Sequence, residues 1–290
     1  MITKLRGTGI AIVTPFTENR EVDYPALKKL VNYLIDGGVE HLVVMGTTGE
    51  NAVLNASEKK QVLDTVIAEN QGRLPIVLGI GGNNTQAVVE QIKDTDFTGV
   101  DAILSVSPAY SKPTQEGIYR HFEAVATASP LPIILYNVPG RTSSNMSAST
   151  TLRLANNFDN VIAIKEASGD MMQCMEILRD RPNGFLVLSG DDALTLPIVL
   201  MGGDGVISVQ GMAYPKEFSA MVREGIAGNN EKARDLHYMQ LEMMNLIFAE
   251  GNPGGIKEVL KQRGVCDNYV RLPLVEVSPE LSAKIKAELK

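Results

Sequence analysis

A chain of 290 residues, 44% of them hydrophobic, carries enough apolar material for one large core, and that composition excludes a disordered chain. A net charge of -7 with no basic run argues against nucleic acid or an anionic membrane surface as partner, so an anionic substrate has to be held by local charge. Cys174 and Cys266 stand far apart in no metal spacing, which reads as free thiols in a reducing compartment.

His41, His121 and His237 are equally scattered, so a zinc site has no support and each reads as structural or solvent-facing. Met1 to Ile10 holds no apolar signal core, and no later stretch approaches the ~20 apolar residues of a membrane helix. These features predict a soluble cytoplasmic protein.

Strand-like runs recur along the chain, each followed by a helical pattern: Gly9 to Thr14, His41 to Met45, Pro75 to Gly79, Ala102 to Val106, Pro132 to Tyr136, Val161 to Lys165, Phe185 to Ser189 and Gly205 to Val209. Each run is apolar on both faces, as parallel strands under helical crossovers are. Eight such units in about 220 residues fit a closed (β/α)8 barrel, a TIM barrel. An open doubly wound sheet would need a glycine fingerprint after its first strand. The Gly79-Ile80-Gly81-Gly82 stretch follows the third strand and lacks the last glycine, so it reads as a tight strand-to-helix turn. Beyond Val209 only helical patterns follow, at Pro215 to Ile226, Asn230 to Ala249 and Pro253 to Gly264. Residues 1–226 are therefore expected to form the barrel that carries the site, and 227–290 a C-terminal helical appendage packed on it.

In a barrel of this kind chemistry sits on the loops after the strands. The second strand leads into Gly46-Thr47-Thr48-Gly49-Glu50, a turn whose successive N–H groups can cradle a carboxylate and whose Thr47 hydroxyl can pass a proton; the same residues also suit a plain turn. The fourth leads into a long loop with Tyr110, a packing aromatic or a proton donor. The fifth ends in Tyr136, and beyond a Pro-Gly turn Arg141 offers a bidentate fork for a carboxylate or one half of a structural salt bridge.

The sixth run delivers Lys165 at its C-terminal end. Burial there disfavours the ammonium form, which leaves an amine able to attack a ketone carbonyl, whereas snorkelling to the surface or pairing with Glu166 is the alternative. After the seventh, Gly190-Asp191-Asp192 could supply metal ligands, but helix capping accounts for it more simply because no third ligand is in view.

Thr47-Thr48, Tyr110, Tyr136, Arg141 and Lys165 come in this order, each at or just beyond the end of a strand-like run, Tyr136 and Arg141 sharing the fifth. With Thr14-Pro15-Phe16, Ile164 to Ala167, Ser189 to Asp192, Gly205 to Ser208 and Asn252-Pro253, they make the chain resemble, nearly end to end, the dihydrodipicolinate synthase family of the pyruvate-dependent class I aldolases. That resemblance implies a lyase of the lysine and diaminopimelate pathway that uses no metal or organic cofactor. Lys165 would form an imine with pyruvate, and the derived enamine would attack L-aspartate 4-semialdehyde. Tyr136, Thr47 and Tyr110 would relay protons, Tyr110 from a neighbouring subunit of a homotetramer built as a dimer of dimers. The N–H groups of Thr47 and Thr48 would hold the pyruvate carboxylate and Arg141 the semialdehyde carboxylate. Ile207 and Gly190 would line the bound ligand.

N-acetylneuraminate lyases and keto-deoxy sugar acid aldolases share Lys165, Tyr136 and the glycine turn, but not typically Arg141. A pyridoxal-phosphate enzyme would need a phosphate cup, and a non-catalytic barrel would not need the relay residues. Members of the family inhibited by lysine hold it with a glutamate, a tyrosine and two histidines, among others. The matching positions here read Asn51, Ala52, Ala56, Lys59, Asn83, Ala87 and Ala109, so weak or absent inhibition by lysine is expected.

Overall fold

The computed structural model describes residues 2–289; Met1 and Lys290, the outer ends of the two expected regions, lie outside the described residues. Eight parallel strands pair in chain order and close into a barrel. They are β1 Gly7–Ala11, β2 His41–Val44, β3 Ile76–Gly79, β4 Ala102–Val106, β5 Ile133–Asn137, β6 Val161–Glu166, β7 Leu186–Ser189 and β8 Gly205–Ser208. Closure runs through β8 and β1, in register from Gly7 opposite Gly205 to Ile10 opposite Ser208. The crossovers are α1 Tyr24–Asp36, α2 Ala56–Asn70, α3 Thr85–Asp94, α4 Gln115–Ala128, the short α5 Pro139–Thr142 with α6 Ala148–Asn157, α7 Met171–Asp180 and α8 Thr195–Leu200, and α9 Pro215–Ile226 follows the last strand. Three more helices follow: α10 Asn230–Leu246, α11 Gly254–Gln262 and α12 Pro279–Glu288.

Seven of the eight expected strands end within a residue of the observed ones, whereas β1 starts and stops earlier than the Gly9 to Thr14 run. Its apolar stretch outlasts its ladder. Ile12 still donates to Val43 C=O at 3.1 Å, but pairing with β8 has stopped at Ile10. Ile12 and Val13 are buried all the same, so the pattern that marks burial overruns the pairing.

Alternation explains why these strands are apolar on both faces. Ala11, Val43, Val77, Leu104, Ile134, Tyr136, Ala163, Leu188 and Ile207 cluster inside the barrel. Their neighbours Ile10, Leu42, Val44, Ile76, Ile103, Ile133, Leu135, Ile164 and Val187 point outward, onto a larger core that includes Leu27, Leu30 and Leu34 of α1. Several crossover helices open on a side chain that accepts from a free N–H of the first turn: Asp23 for α1, Asn84 for α3, Thr114 for α4 and Asp170 for α7. Asn55 and Glu58 form a reciprocal capping box at α2. Each such cap stabilises by about 1 kcal/mol and fixes where the preceding loop ends.

All three histidines are buried, which removes the solvent-facing alternative. His41 enters the barrel near its N-terminal end, directly opposite Gly9. A Cβ at position 9 would stand 1.9 Å from His41 Nε2, so only glycine leaves room for the ring. Burial lowers the His41 pKa from 6.5 to about 4. Between those values the unfolded chain binds a proton that the folded chain refuses, so this residue's contribution is intact above pH 6.5 and is lost as pH falls toward 4. The shift corresponds to about 3 kcal/mol. His41→Asn removes this dependence: urea unfolding should show the variant's deficit relative to the parent shrinking by about 2–3 kcal/mol between pH 7.5 and pH 4.5. A deficit that stays constant with pH contradicts the assignment.

Candidate active site

Lys165 occupies the penultimate position of β6 and lies in register with Tyr136 of β5 and Leu188 of β7. Two residues beyond Ala163, it shares the inward face of the strand, and it is 6% exposed. Its Nζ stands 4.4 Å from the centroid of the Tyr136 ring. Glu166, the next residue, necessarily points the other way. Its carboxylate accepts from Asn137 Nδ2 at 3.0 Å, Ser168 N–H at 2.7 Å and Gln173 Nε2 at 2.9 Å, all on the helix side of the barrel. Pairing of Lys165 with Glu166 is thereby ruled out, and so is snorkelling to the surface.

Gly190, just past β7, flanks the lysine stem. A Cβ there would come within 3.1 Å of Lys165 Cε and 2.6 Å of Ala167 Cβ. Ile207 closes the interior beside them at 1% exposure.

The turn after β2 forms the opposite wall. Met45 and Glu50 bracket it, both with left-handed backbone at φ 62° and 54°. Residues in that region are held there at a cost, and here they frame a tight 3-10 turn over Thr47–Gly49. The first ladder bond of the turn runs from Gly49 N–H to Gly46 C=O at 3.1 Å, which leaves the N–H groups of Thr47 and Thr48 ahead of it. Thr14 Oγ1 donates to Gly49 C=O at 2.7 Å and pins the far side.

A cavity of about 360 Å³ opens between this turn and the ends of β3 to β5. Thr47, Tyr136 and Arg141 all line it, together with Gly46, Glu50 and Asn252. Arg141 is delivered by α5 and remains exposed at the mouth. Among the described residues neither Arg141 nor Lys165 has a carboxylate within ion-pair distance, so the structural salt bridge considered for Arg141 is absent. Thr48 is buried at 3% exposure. Lys165, Thr48, Gly190 and Ile207 are not part of the cavity lining; Lys165 reaches it through the Tyr136 ring, against which its amine lies. Tyr110 lies apart from all of them. It is 90% exposed on its loop, with φ 68° and its N–H on Thr142 C=O at 3.3 Å.

Of the acidic pair after β7, Asp191 caps the turn leading into α8, accepting from Ala193 N–H at 3.0 Å and Leu194 N–H at 3.3 Å. Asp192 does not cap. It crosses to the end of β8, where Ser208 Oγ at 2.5 Å and Gln210 N–H at 2.8 Å donate to it. Full burial raises its carboxyl to about 6 against the lowering effect of those donors. Asp192 thus fixes the strand end that carries Ile207.

Sequence reasoning assigned no role to the residues that hold the Thr47–Gly49 turn from the C-terminal region. Lys257 of α11, 0% exposed, bonds Glu50 Oε1 at 2.5 Å and Tyr269 C=O at 2.7 Å. Burial lowers the pKa of this lysine, and the Glu50 carboxylate works against that shift. Arg271 N–H donates to Glu50 Oε2 at 3.0 Å, and the Arg271 guanidinium grips Glu58 of α2 at 2.6 and 2.9 Å. Asn252 Nδ2 donates to Thr48 Oγ1 at 2.9 Å. The available signal was Lys257 inside the run Ile256 to Leu260, a charge within an apolar helix face.

A closed parallel barrel with a lysine at the end of its sixth strand, aimed at the axis beside a tyrosine, is the arrangement of the imine-forming class I aldolases. Residues 4–290 match the Dihydrodipicolinate synthetase family. The chain is 57% identical to a 4-hydroxy-tetrahydrodipicolinate synthase of Flavobacterium psychrophilum, over 96% of this chain and 95% of that protein. It is 51% identical to one of Parabacteroides distasonis, over 99% and 96% of the two chains. A crystal structure of dihydrodipicolinate synthase from Aquifex aeolicus superposes with a TM-score of 0.95 at 38% identity, covering 98% of this chain and 97% of that one. The protein belongs to the dihydrodipicolinate synthetase family.

The packing around Gly190 carries a direct expectation. Gly190→Ala should lower kcat about tenfold or more by displacing the Lys165 stem, while far-UV circular dichroism stays unchanged. Parent-like turnover in that variant would mean the lysine has slack that the geometry denies.

Proposed function

We propose that the protein condenses pyruvate with L-aspartate 4-semialdehyde through an imine on Lys165, giving 4-hydroxy-tetrahydrodipicolinate. The observation that carries this reading is an inward amine with no acidic partner, in register with and lying against a phenol that lines a cavity whose guanidinium is also unpaired. Membership of the family supplies the substrate pair.

Lys165 Nζ adds to C2 of pyruvate, and loss of water gives the iminium. Removal of a C3 proton then yields an enamine, whose carbon attacks the aldehyde carbon of the semialdehyde and forms the new C–C bond. The amino group of the second substrate next attacks C2, which closes the ring and expels Lys165 as the free amine. The balance is one water lost and no net oxidation.

Each step draws on a residue already described. Tyr136 lies against the amine and Thr47 shares its cavity, so the two hydroxyls serve as the relay that hydrates and dehydrates C2. The N–H groups of Thr47 and Thr48 receive the pyruvate carboxylate, a compact anion suited to the start of a tight turn. Arg141 takes the second carboxylate bidentately at the mouth. Gly190 and Ile207 shape the floor on which C2 rests. Tyr110, exposed on its own chain, completes the relay of a neighbouring copy, which makes the working form at least a dimer and, by resemblance, a dimer of dimers.

We read residues 1–226 as the barrel bearing the chemistry and 227–290 as the region that braces it. No helix of the described residues is long and apolar enough to cross a membrane. We infer the cytoplasm as the compartment in which the reaction runs. Arg141 separates this reading from a sugar acid aldolase, because a polyol tail gives a guanidinium at the cavity mouth no anion to hold.

Treatment with borohydride in the presence of pyruvate should fix the keto acid skeleton on Lys165, read as a mass increase on the peptide that contains it. Lys165→Ala should lose that adduct and about a thousandfold or more of turnover. In a coupled assay, condensation on aspartate semialdehyde should far exceed cleavage of any sugar acid. An unmodified mass with pyruvate would leave a non-catalytic barrel.

The positions matched to lysine inhibition carry a second expectation. Asn83 Oδ1 is already engaged by Ala109 N–H at 2.8 Å, and Ala87 and Ala109 offer neither carboxylate nor phenol to a lysine ligand. Millimolar lysine should leave the initial rate within about a fifth of its control value, since a charged ammonium without a partner gains little in water. A halved rate at that concentration would refute this.

A further inference from the structure

The mechanism above uses the backbone of Thr48 and gives its hydroxyl no task. That hydroxyl is buried, and it accepts a hydrogen bond from Asn252 Nδ2 at 2.9 Å across 204 residues of sequence. Asn252 is itself 8% exposed and lines the same cavity as Thr47, Tyr136 and Arg141. The other end of its amide, Oδ1, is buried without a hydrogen-bond partner among the described residues. Of the residues lining the cavity, Asn252 alone has such an orphaned buried atom. A buried orphan acceptor is tolerated more readily than a buried orphan N–H, so the amide is held with its nitrogen toward Thr48.

This direction has a chemical consequence. A threonine hydroxyl has one proton and two lone pairs. With a lone pair occupied by Asn252 and no acceptor among the described residues taking its proton, the hydroxyl of Thr48 has a proton free to donate to a bound anion. We propose that Asn252 is a positioning residue: it turns the Thr48 hydroxyl into a third donor for the carboxylate of the keto acid. The inference rests on the pyruvate reading above and deepens it by adding to the anion site a side chain from the C-terminal region.

The test is steady-state kinetics of the intact protein, with Asn252→Ala, Asn252→Asp, Thr48→Val and the double variant Asn252→Ala with Thr48→Val. The expected result for Asn252→Ala is a KM for pyruvate raised about tenfold with kcat held within about threefold, the signature of lost ground-state binding. Thr48→Val should do the same, and the double variant should be no worse than the poorer single, because both changes remove one donor.

Asn252→Asp keeps the size of the side chain and serves if the alanine variant does not fold. Its carboxylate takes the Thr48 proton for itself, so KM for pyruvate should rise further at pH 8 and recover toward pH 5, a dependence absent from the parent.

An unchanged KM in Asn252→Ala, multiplying effects in the double variant, or a KM for Asn252→Asp that does not move with pH would each overturn the proposal. So would a lowered unfolding midpoint as the sole effect. A parent protein that neither condenses the two substrates nor traps pyruvate with borohydride would instead sink the functional reading itself, and this inference with it.

Discussion

A β-strand can turn only every second side chain toward the axis of its barrel, and the working parts of this protein are arranged around that restriction. At the end of β6 it sends Lys165 inward and Glu166 outward, so the amine and the carboxylate, adjacent in sequence, never meet. Register does the rest. Parallel pairing sets Tyr136 level with Lys165, and Gly190 beyond β7 leaves the space that the lysine stem fills. A slip of one residue in β6 would exchange the two side chains and put a carboxylate at the centre of the site. The outward Glu166 is therefore part of the solution: three donors on the helix side hold it and so help to lock the register that aims its neighbour.

The second support comes from far along the chain. Glu50 and Lys257, both almost fully buried, form an ion pair across 207 residues. Taking two charges out of water costs several kcal/mol per ion, so such a pair adds little to net stability even when its geometry is good. Its effect lies in geometry. Lys257 also bonds Tyr269 C=O, Arg271 ties Glu50 to Glu58, and Asn252 reaches Thr48. The turn with left-handed residues at both ends is thus held from a helical region that the barrel does not need for closure. On the proposed reading this gives a physical reason for the C-terminal helices to accompany the barrel: backbone N–H groups that are to receive an anion must be kept in place when no anion is there.

The barrel was legible in the sequence because parallel strands buried on both faces leave continuous apolar runs, and eight such runs arrive in order. The one displaced strand, β1, shows the limit of that signal, since Ile12 and Val13 are buried without being paired on both sides. Lys165, Tyr136, Thr47 and Arg141 stood out as candidates from their places at strand ends, each with a structural alternative, and only the family resemblance gave them roles; the structure brings the first two into contact and the last three around one cavity. What local reasoning does not reach is any role created by a partner hundreds of residues away. Lys257, a charge inside an apolar run, signals burial but not its partner Glu50, and Thr48 reads as half of a polar turn. Gly190-Asp191-Asp192 read as a helix cap because a helical pattern follows it, yet only Asp191 caps, on the turn ahead of α8, while the Asp192 side chain bridges to β8.

Charge completes the account. A chain of net charge -7 repels anions at a distance, yet the proposed reaction brings two carboxylates into one cavity. Of the basic side chains around the turn, Lys257 is neutralised by Glu50 and Arg271 by Glu58. Among the described residues Arg141 is the one cation lining the cavity, and it keeps its charge unspent; on the proposed reading the attraction deeper in is carried by N–H dipoles rather than by ions. Dipoles fixed at short range lose nothing to the repulsive field of the whole molecule, and they discriminate by shape: a planar carboxylate fits the start of a tight turn where a sugar hydroxyl gains far less. Acidity overall and anion binding at the site are therefore compatible, on condition that the turn stays rigid. That condition is what Lys257 of α11 meets by pairing with Glu50 at the end of the turn.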